Sequence, residues 1–105
     1  MDKREAISTA QQYVSDVERK YRLTRSLLFG SYAKGNYHGN SDIDVAVVIK
    51  DVENLFDTGV DLMRLRTEDN LIIEPHVFRD SDFNSDDPIV FEILRNGIEL
   101  KVRGE

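Results

Sequence analysis

No cysteine occurs anywhere in the chain, which excludes a disulfide framework and any thiolate-ligated metal site. Proline appears only twice among the 105 residues, and no Gly-, Ser- or Pro-rich tract reads as a linker or low-complexity arm. No stretch approaches the roughly 20 apolar residues that a membrane helix needs. The opening Met-Asp-Lys-Arg-Glu leads into no apolar core, unlike a secretory signal. Positive charge is in short supply, with 14 Lys and Arg against 20 Asp and Glu, for a formal net charge of −6. Gripping a long nucleic-acid backbone rewards clustered Lys and Arg, so this balance argues against extended nucleic-acid binding. Contact with one nucleotide or a few stays open. These absences lead to the expectation of a cytoplasmic protein with no membrane association, folded as a single domain over residues 1–105.

What is present is a globular pattern, 40% hydrophobic and 32% charged. Ile7, Ala10, Val14, Val17 and Tyr21 recur at three- and four-residue steps and predict an amphipathic helix from about Lys3 to Tyr21. The apolar Leu27-Leu28-Phe29, ended by Gly30, predicts a first strand. Asp42 to Ile49 predicts a second, apolar on both faces and therefore covered on both. Helical spacing returns at Val52, Leu55, Phe56, Val60 and Met63, with Gly59 weakening the pattern. Leu71 to Phe78 predicts a third strand, in which Pro75 disfavours a fully paired central position. Ser85-Asp86-Asp87-Pro88 is a helix-start signal, Phe91, Ile93 and Leu94 give that helix something to bury, and Asn96-Gly97 is a stop. The "IEL" that follows predicts a short edge strand. The order is helix, strand, loop, strand, helix, strand, helix, and the expected class is α/β (α+β): a small mixed sheet flanked by helices.

The informative stretch is "LFGSYAKGNYHGNSDIDVAVV", residues 28–48. In a strand, alternate side chains share a face, so Asp42 and Asp44 are expected on one side, with Cα atoms roughly 6–7 Å apart. Like charges this close resist joint ionisation unless a cation sits with them. Oxygen ligands without thiols favour Mg²⁺, held by carboxylates and substrate phosphates. The preceding loop offers Gly30, which lets a phosphate approach the backbone, and Ser31, whose hydroxyl donates. A helical turn over Ser31 to Lys34 would aim free N–H groups at an anion. Lys34 is readable as a phosphate contact or as a solvated lysine, and Gly35 and Gly39 let the chain reverse before Ser41. An anion cradle beside a carboxylate pair is a constellation for nucleotidyl or phosphoryl transfer from a nucleoside triphosphate.

"GSYAKG" followed by "SDIDVAV" resembles the signature of the DNA polymerase beta-like nucleotidyltransferase superfamily, in which Gly-Ser, a short gap, Gly and a variable loop precede Asp-x-Asp. The short chain resembles its minimal nucleotidyltransferase (MNT) branch, often the antitoxin partner of a HEPN-domain toxin. The specific motif covers residues 28–48, and element order and size extend the likeness to most of the chain. The resemblance implies the polymerase beta-like fold and two Mg²⁺ ions on Asp42, Asp44 and a third carboxylate from a neighbouring strand. Glu74 is the candidate for that third acid, as metal ligand and as the base that takes the acceptor's proton. The superfamily more often has Asp there, so Glu74 departs from the pattern by one bond of reach. Nucleotide contacts are implied at Gly30, Ser31, Lys34 and Ser41. The branch often has Arg where Tyr32 and Lys34 stand. The implied activity is transfer of a nucleotidyl group, AMP from ATP by preference, to a hydroxyl on a HEPN-type protein partner.

Blander readings stand beside these. Glu74 is also readable as a solvated edge residue. His76, two residues on, is either a proton shuttle beside Glu74 or a partly buried structural histidine. Asp80, Asp82, Asp86 and Asp87 form an acidic turn whose spacing departs from a calcium loop. Tyr13, Tyr21 and the phenylalanines read as core. A non-catalytic module that neutralises or scaffolds a partner by occlusion is the alternative function. The modest core leaves room for a homo- or hetero-oligomer.

Overall fold

Asp2 starts the first helix by a reciprocal cap. Its carboxylate accepts from the Glu5 N–H at 2.8 Å, and the Glu5 carboxylate accepts from the Asp2 N–H at 3.0 Å. The helix that follows, α1 (Lys3–Val17), buries Ala6, Ala10, Tyr13, Val14 and Val17 along one stripe. It stops before Tyr21. The N–H groups of Lys20 and Tyr21 both donate to the Val17 carbonyl, and the chain turns. Tyr21 packs on the core from that turn, so its place in the periodic pattern did not require helix. This is a computed structural model, and it describes residues 1–103.

Four strands form one sheet in the order β3-β2-β1-β4. Strand β1 (Leu23–Phe29) begins four residues earlier than its apolar run predicts. It pairs antiparallel with β2 (Ile43–Ile49) and with the two-residue β4 (Ile98–Glu99). Strand β3 (Ile73–Arg79) lies parallel to β2, on the outer edge. It starts two residues later than expected at Leu71. An edge strand has one unpaired side, so Pro75 with its missing N–H fits there. A parallel pair needs a crossover, supplied by α3 (Leu55–Arg64) after the one-turn α2 (Ser31–Lys34) has closed the β1–β2 connection.

Both faces of β2 are covered, as its composition predicts. Ile43, Val45, Val47 and Ile49 join α1 and Leu62 of α3 in the main core. On the other face Ala46, Leu27 and Ile93 of α4 (Pro88–Asn96) form a smaller cluster. Helix α4 opens with the Asp87 side chain accepting from the Ile89 N–H and with Pro88 at the first position. It ends at Gly97, in extended rather than left-handed conformation (φ −74°). A Cβ at Gly97 would lie 2.4 Å from the Ile93 carbonyl oxygen, so glycine serves close approach there. Two expected core residues face outward: Phe56 is 78% exposed and Phe91 50%. Each helix carries two overlapping apolar stripes, and packing selects Leu62 in α3, with Leu65 just past its end, and Val90 and Ile93 in α4.

Candidate active site

The sheet register assembles the site. Phe29 of β1, Asp44 of β2 and Glu74 of β3 stand in one row, and Leu27, Ala46 and His76 form the next. Residues paired across adjacent strands share a face, so Asp44, Glu74 and His76 project on the side that carries the smaller cluster. Helix α4 covers that face at Ala46 and Leu27. Asp44 lies one row away, half-buried, and Glu74 is exposed.

Across the diagonal, His76 Nε2 stands 3.0 Å from Asp44 Oδ1. The Phe29 ring packs edge-to-face with the imidazole, with ring centroids 4.9 Å apart. Asp44, Glu74 and His76 each offer a ligand atom, and these atoms lie within 4.8 Å of one another. Asp42 is not in this group. It is exposed and precedes the first residue of β2, so strand alternation does not fix its side chain beside that of Asp44.

The glycine-serine bend meets the same carboxylate. Gly30 adopts φ +76°, ψ −153°, a region essentially restricted to glycine. A Cβ there would lie 2.2 Å from Asp44 Oδ2, so the missing side chain is what lets the bend lie against the acid. Ser31 opens α2 as the sequence predicts, and Gly35 closes it at φ +87°. Lys34 points elsewhere. Its Nζ pairs with Glu92 Oε1 of α4 at 2.7 Å, and this ammonium, helped by the Asn96 amide, holds the Glu92 carboxyl below its usual range. Ser41 is buried, and its hydroxyl accepts from the His38 N–H at 2.9 Å, closing the loop that leads into β2.

Residues 12–105 match the family model "Polymerase beta, Nucleotidyltransferase". The chain belongs to that family. Two Methanocaldococcus jannaschii proteins, both named "putative protein adenylyltransferase", are similar to it. One is 34% identical over 92 residues, covering 85% of this chain and 87% of the relative. The other is 38% identical over 53 residues, a match spanning 49% of this chain and about half (54%) of the relative's length. Among solved structures, a "putative nucleotidyltransferase" from Sulfolobus solfataricus superimposes with TM-score 0.71 at 23% identity, over 96% of this chain and 84% of that one. A "toxin-antitoxin with AMP-PNP" gives TM-score 0.59 at 23% identity, over 87% and 72%. At that identity the two structures bear on the fold, which they share.

Nucleotidyltransferases of this family use a nucleoside triphosphate and a divalent metal. The residues present fit such an ion: two carboxylates and an imidazole converge, and no thiolate competes. The sequence had offered His76 as a structural residue or as a proton shuttle. It joins the acids because β3 pairs with β2 in a register that sets Glu74 beside Asp44. Nothing within the sequence of β3 states that register. The cue available was the two-residue spacing of Glu74 and His76, which puts both on one face. Among the described residues no helix is long and apolar enough to cross a membrane.

Proposed function

We propose that this family member transfers AMP from ATP to a hydroxyl on a partner protein, in a Mg²⁺-dependent reaction in the cytoplasm, and that the partner is a HEPN-type toxin which the transfer silences. The observation that carries the reading is the pairing of Asp44 with Glu74 across β2 and β3, with Gly30 lying against the Asp44 carboxylate. The names of the two M. jannaschii relatives support protein adenylylation. The AMP-PNP-bound toxin-antitoxin neighbour supports the choice of nucleotide and of a protein partner.

In this mechanism Asp44 and Glu74, with Asp42 at the mouth of β2, would hold the metal. When bound, it neutralises charge on the triphosphate and on the reacting α-phosphoryl group. Gly30 and Ser31 receive the outer phosphates, the glycine by exposing backbone and the serine by donating its hydroxyl. Glu74 is exposed where its strand neighbour Asp44 is half-buried, which leaves it open to an incoming acceptor. It takes the acceptor hydroxyl's proton as that oxygen bonds to the α-phosphorus. The bond from the α-phosphorus to the bridging oxygen breaks, and pyrophosphate leaves with the electron pair.

Incubation with α-labelled ATP, Mg²⁺ and the product of an adjacent HEPN-type gene tests the reading. Label appears on the partner, and Asp42→Asn or Asp44→Asn removes it. Neutralisation of the partner that survives both substitutions would sink the enzymatic reading in favour of occlusion.

A further inference from the structure

We propose that His76 is a direct metal ligand, so that the ion is held by a mixed set of Asp44, Glu74 and the His76 imidazole and is selected toward Mn²⁺ over Mg²⁺. The inference rests on the metal-dependent reading above and deepens it, since that reading places the ion on carboxylates alone.

Three observations carry it. Nε2 of His76 and Oδ1 of Asp44 are 3.0 Å apart. Two neighbouring ligands of an octahedral ion with bonds of about 2.1 Å are separated by about that distance. The third donor, a Glu74 oxygen, lies within 4.8 Å of both, and rotation of that exposed side chain brings it within the roughly 4.2 Å that spans one octahedral shell. The ring is also held in place. It sits on β3 two residues from Glu74, is edge-packed on Phe29, and has a side chain only 34% exposed. A solvated histidine would lack such a fixed orientation. A hydrogen bond from Nε2–H to Asp44 and coordination through Nε2 are exclusive uses of one atom. The ion therefore exchanges places with a proton, which moves to Nδ1 or to solvent.

The chemical consequence is selectivity. Mg²⁺ prefers an all-oxygen shell and gains little from imidazole, whereas later first-row ions accept nitrogen more readily, and Mn²⁺ keeps the carboxylate and phosphate oxygens as well. An imidazole in the shell therefore tilts this site toward Mn²⁺. It also offers a reason for a longer third acid. With His76 occupying one position, Glu74 reaches the ion from the strand's edge with one bond more than Asp has.

Pulsed electron paramagnetic resonance of the full chain loaded with Mn²⁺ and AMP-PNP tests the assignment directly. Directly bound imidazole gives a ¹⁴N modulation, which changes to the ¹⁵N pattern when the protein carries ¹⁵N-histidine. His38 is the chain's other histidine, so His38→Gln should leave the modulation in place. His76→Gln should abolish it and weaken Mn²⁺ binding by at least about tenfold, with Mg²⁺ binding changed much less. Circular dichroism identifies a variant that has failed to fold, and the isotope experiment needs no variant at all. Mn²⁺ bound without histidine nitrogen coupling would overturn the inference while leaving nucleotidyl transfer to be judged by the labelled-ATP assay. Equal loss of Mn²⁺ and Mg²⁺ affinity in His76→Gln would overturn the selectivity.

Discussion

Gly30 binds two requirements into one residue. Its backbone lies in a region where a side chain costs on the order of 1–3 kcal/mol, and the space a Cβ would fill holds the Asp44 carboxylate. Gly30→Ala is therefore expected to lower unfolding stability by at least about 1–3 kcal/mol and to weaken divalent-ion binding by displacing Asp44. Urea unfolding and a metal titration read the two effects, and an alanine variant with wild-type values in both would refute the packing argument. Glu74 poses a different question, since its carboxylate is exposed and contributes little to the core. Glu74→Gln should leave the unfolding midpoint nearly unchanged and lower the transfer rate by about 10²–10⁴-fold, the range for loss of a general base. Unchanged turnover of labelled ATP would remove Glu74 from that role.

Helix α3 is tied to its surroundings by several side-chain bonds. Near its C-terminus carbonyls lack intrahelical partners. The buried Tyr13 hydroxyl donates to the Leu62 carbonyl at 2.6 Å, and Arg66 donates to Met63 at 3.0 Å. Burial pushes the Tyr13 phenol far up and raises Tyr21 to about 12, so both remain donors at ordinary pH. Asp61 of the same helix accepts from Lys20, at 2.8 Å, and from Tyr21, and these bonds hold its carboxyl below the usual value. A depressed carboxyl contributes stability above its unfolded pKa and loses it as pH falls through the folded one, which places the loss below about pH 4. Asp61→Asn should flatten that acid limb in unfolding curves taken between pH 5 and 2. An unaltered limb would show that the contact contributes nothing measurable. Gly59, inside α3, has only Val77 Cγ1 near a built Cβ, at 3.7 Å. Gly59→Ala should stabilise the protein by about 0.5–1 kcal/mol, read as a higher urea midpoint.

Taken whole, the molecule is anionic, with net charge −6, and its proposed substrate is a polyanion. Asp44 and Glu74 repel a triphosphate unless a cation intervenes. ATP binding should therefore depend on divalent ions: calorimetry in excess EDTA should show no uptake, and restored Mg²⁺ or Mn²⁺ should recover it. Comparable ATP affinity with and without the chelator would mean that the acids are not the nucleotide's neighbours.

Glu74 became a candidate only through the family resemblance, whereas the sequence by itself determined the element order, the doubly covered β2, the bend at Gly30 and the candidacy of Asp44. Those features follow from local periodicity, from glycine's freedom and from side-chain chemistry, all of which are written within a few residues. Three things waited for the fold. Which of two apolar stripes α3 and α4 would bury depended on the surface each helix met, and Phe56 and Phe91 were left outside. Whether Asp42 would stand with Asp44 depended on where β2 begins. That His76 touches Asp44, 32 residues away in sequence, depended on the register of two parallel strands. Pairing energy between distant strands is not encoded in either strand alone, so only the tertiary structure could bring that imidazole to the acids.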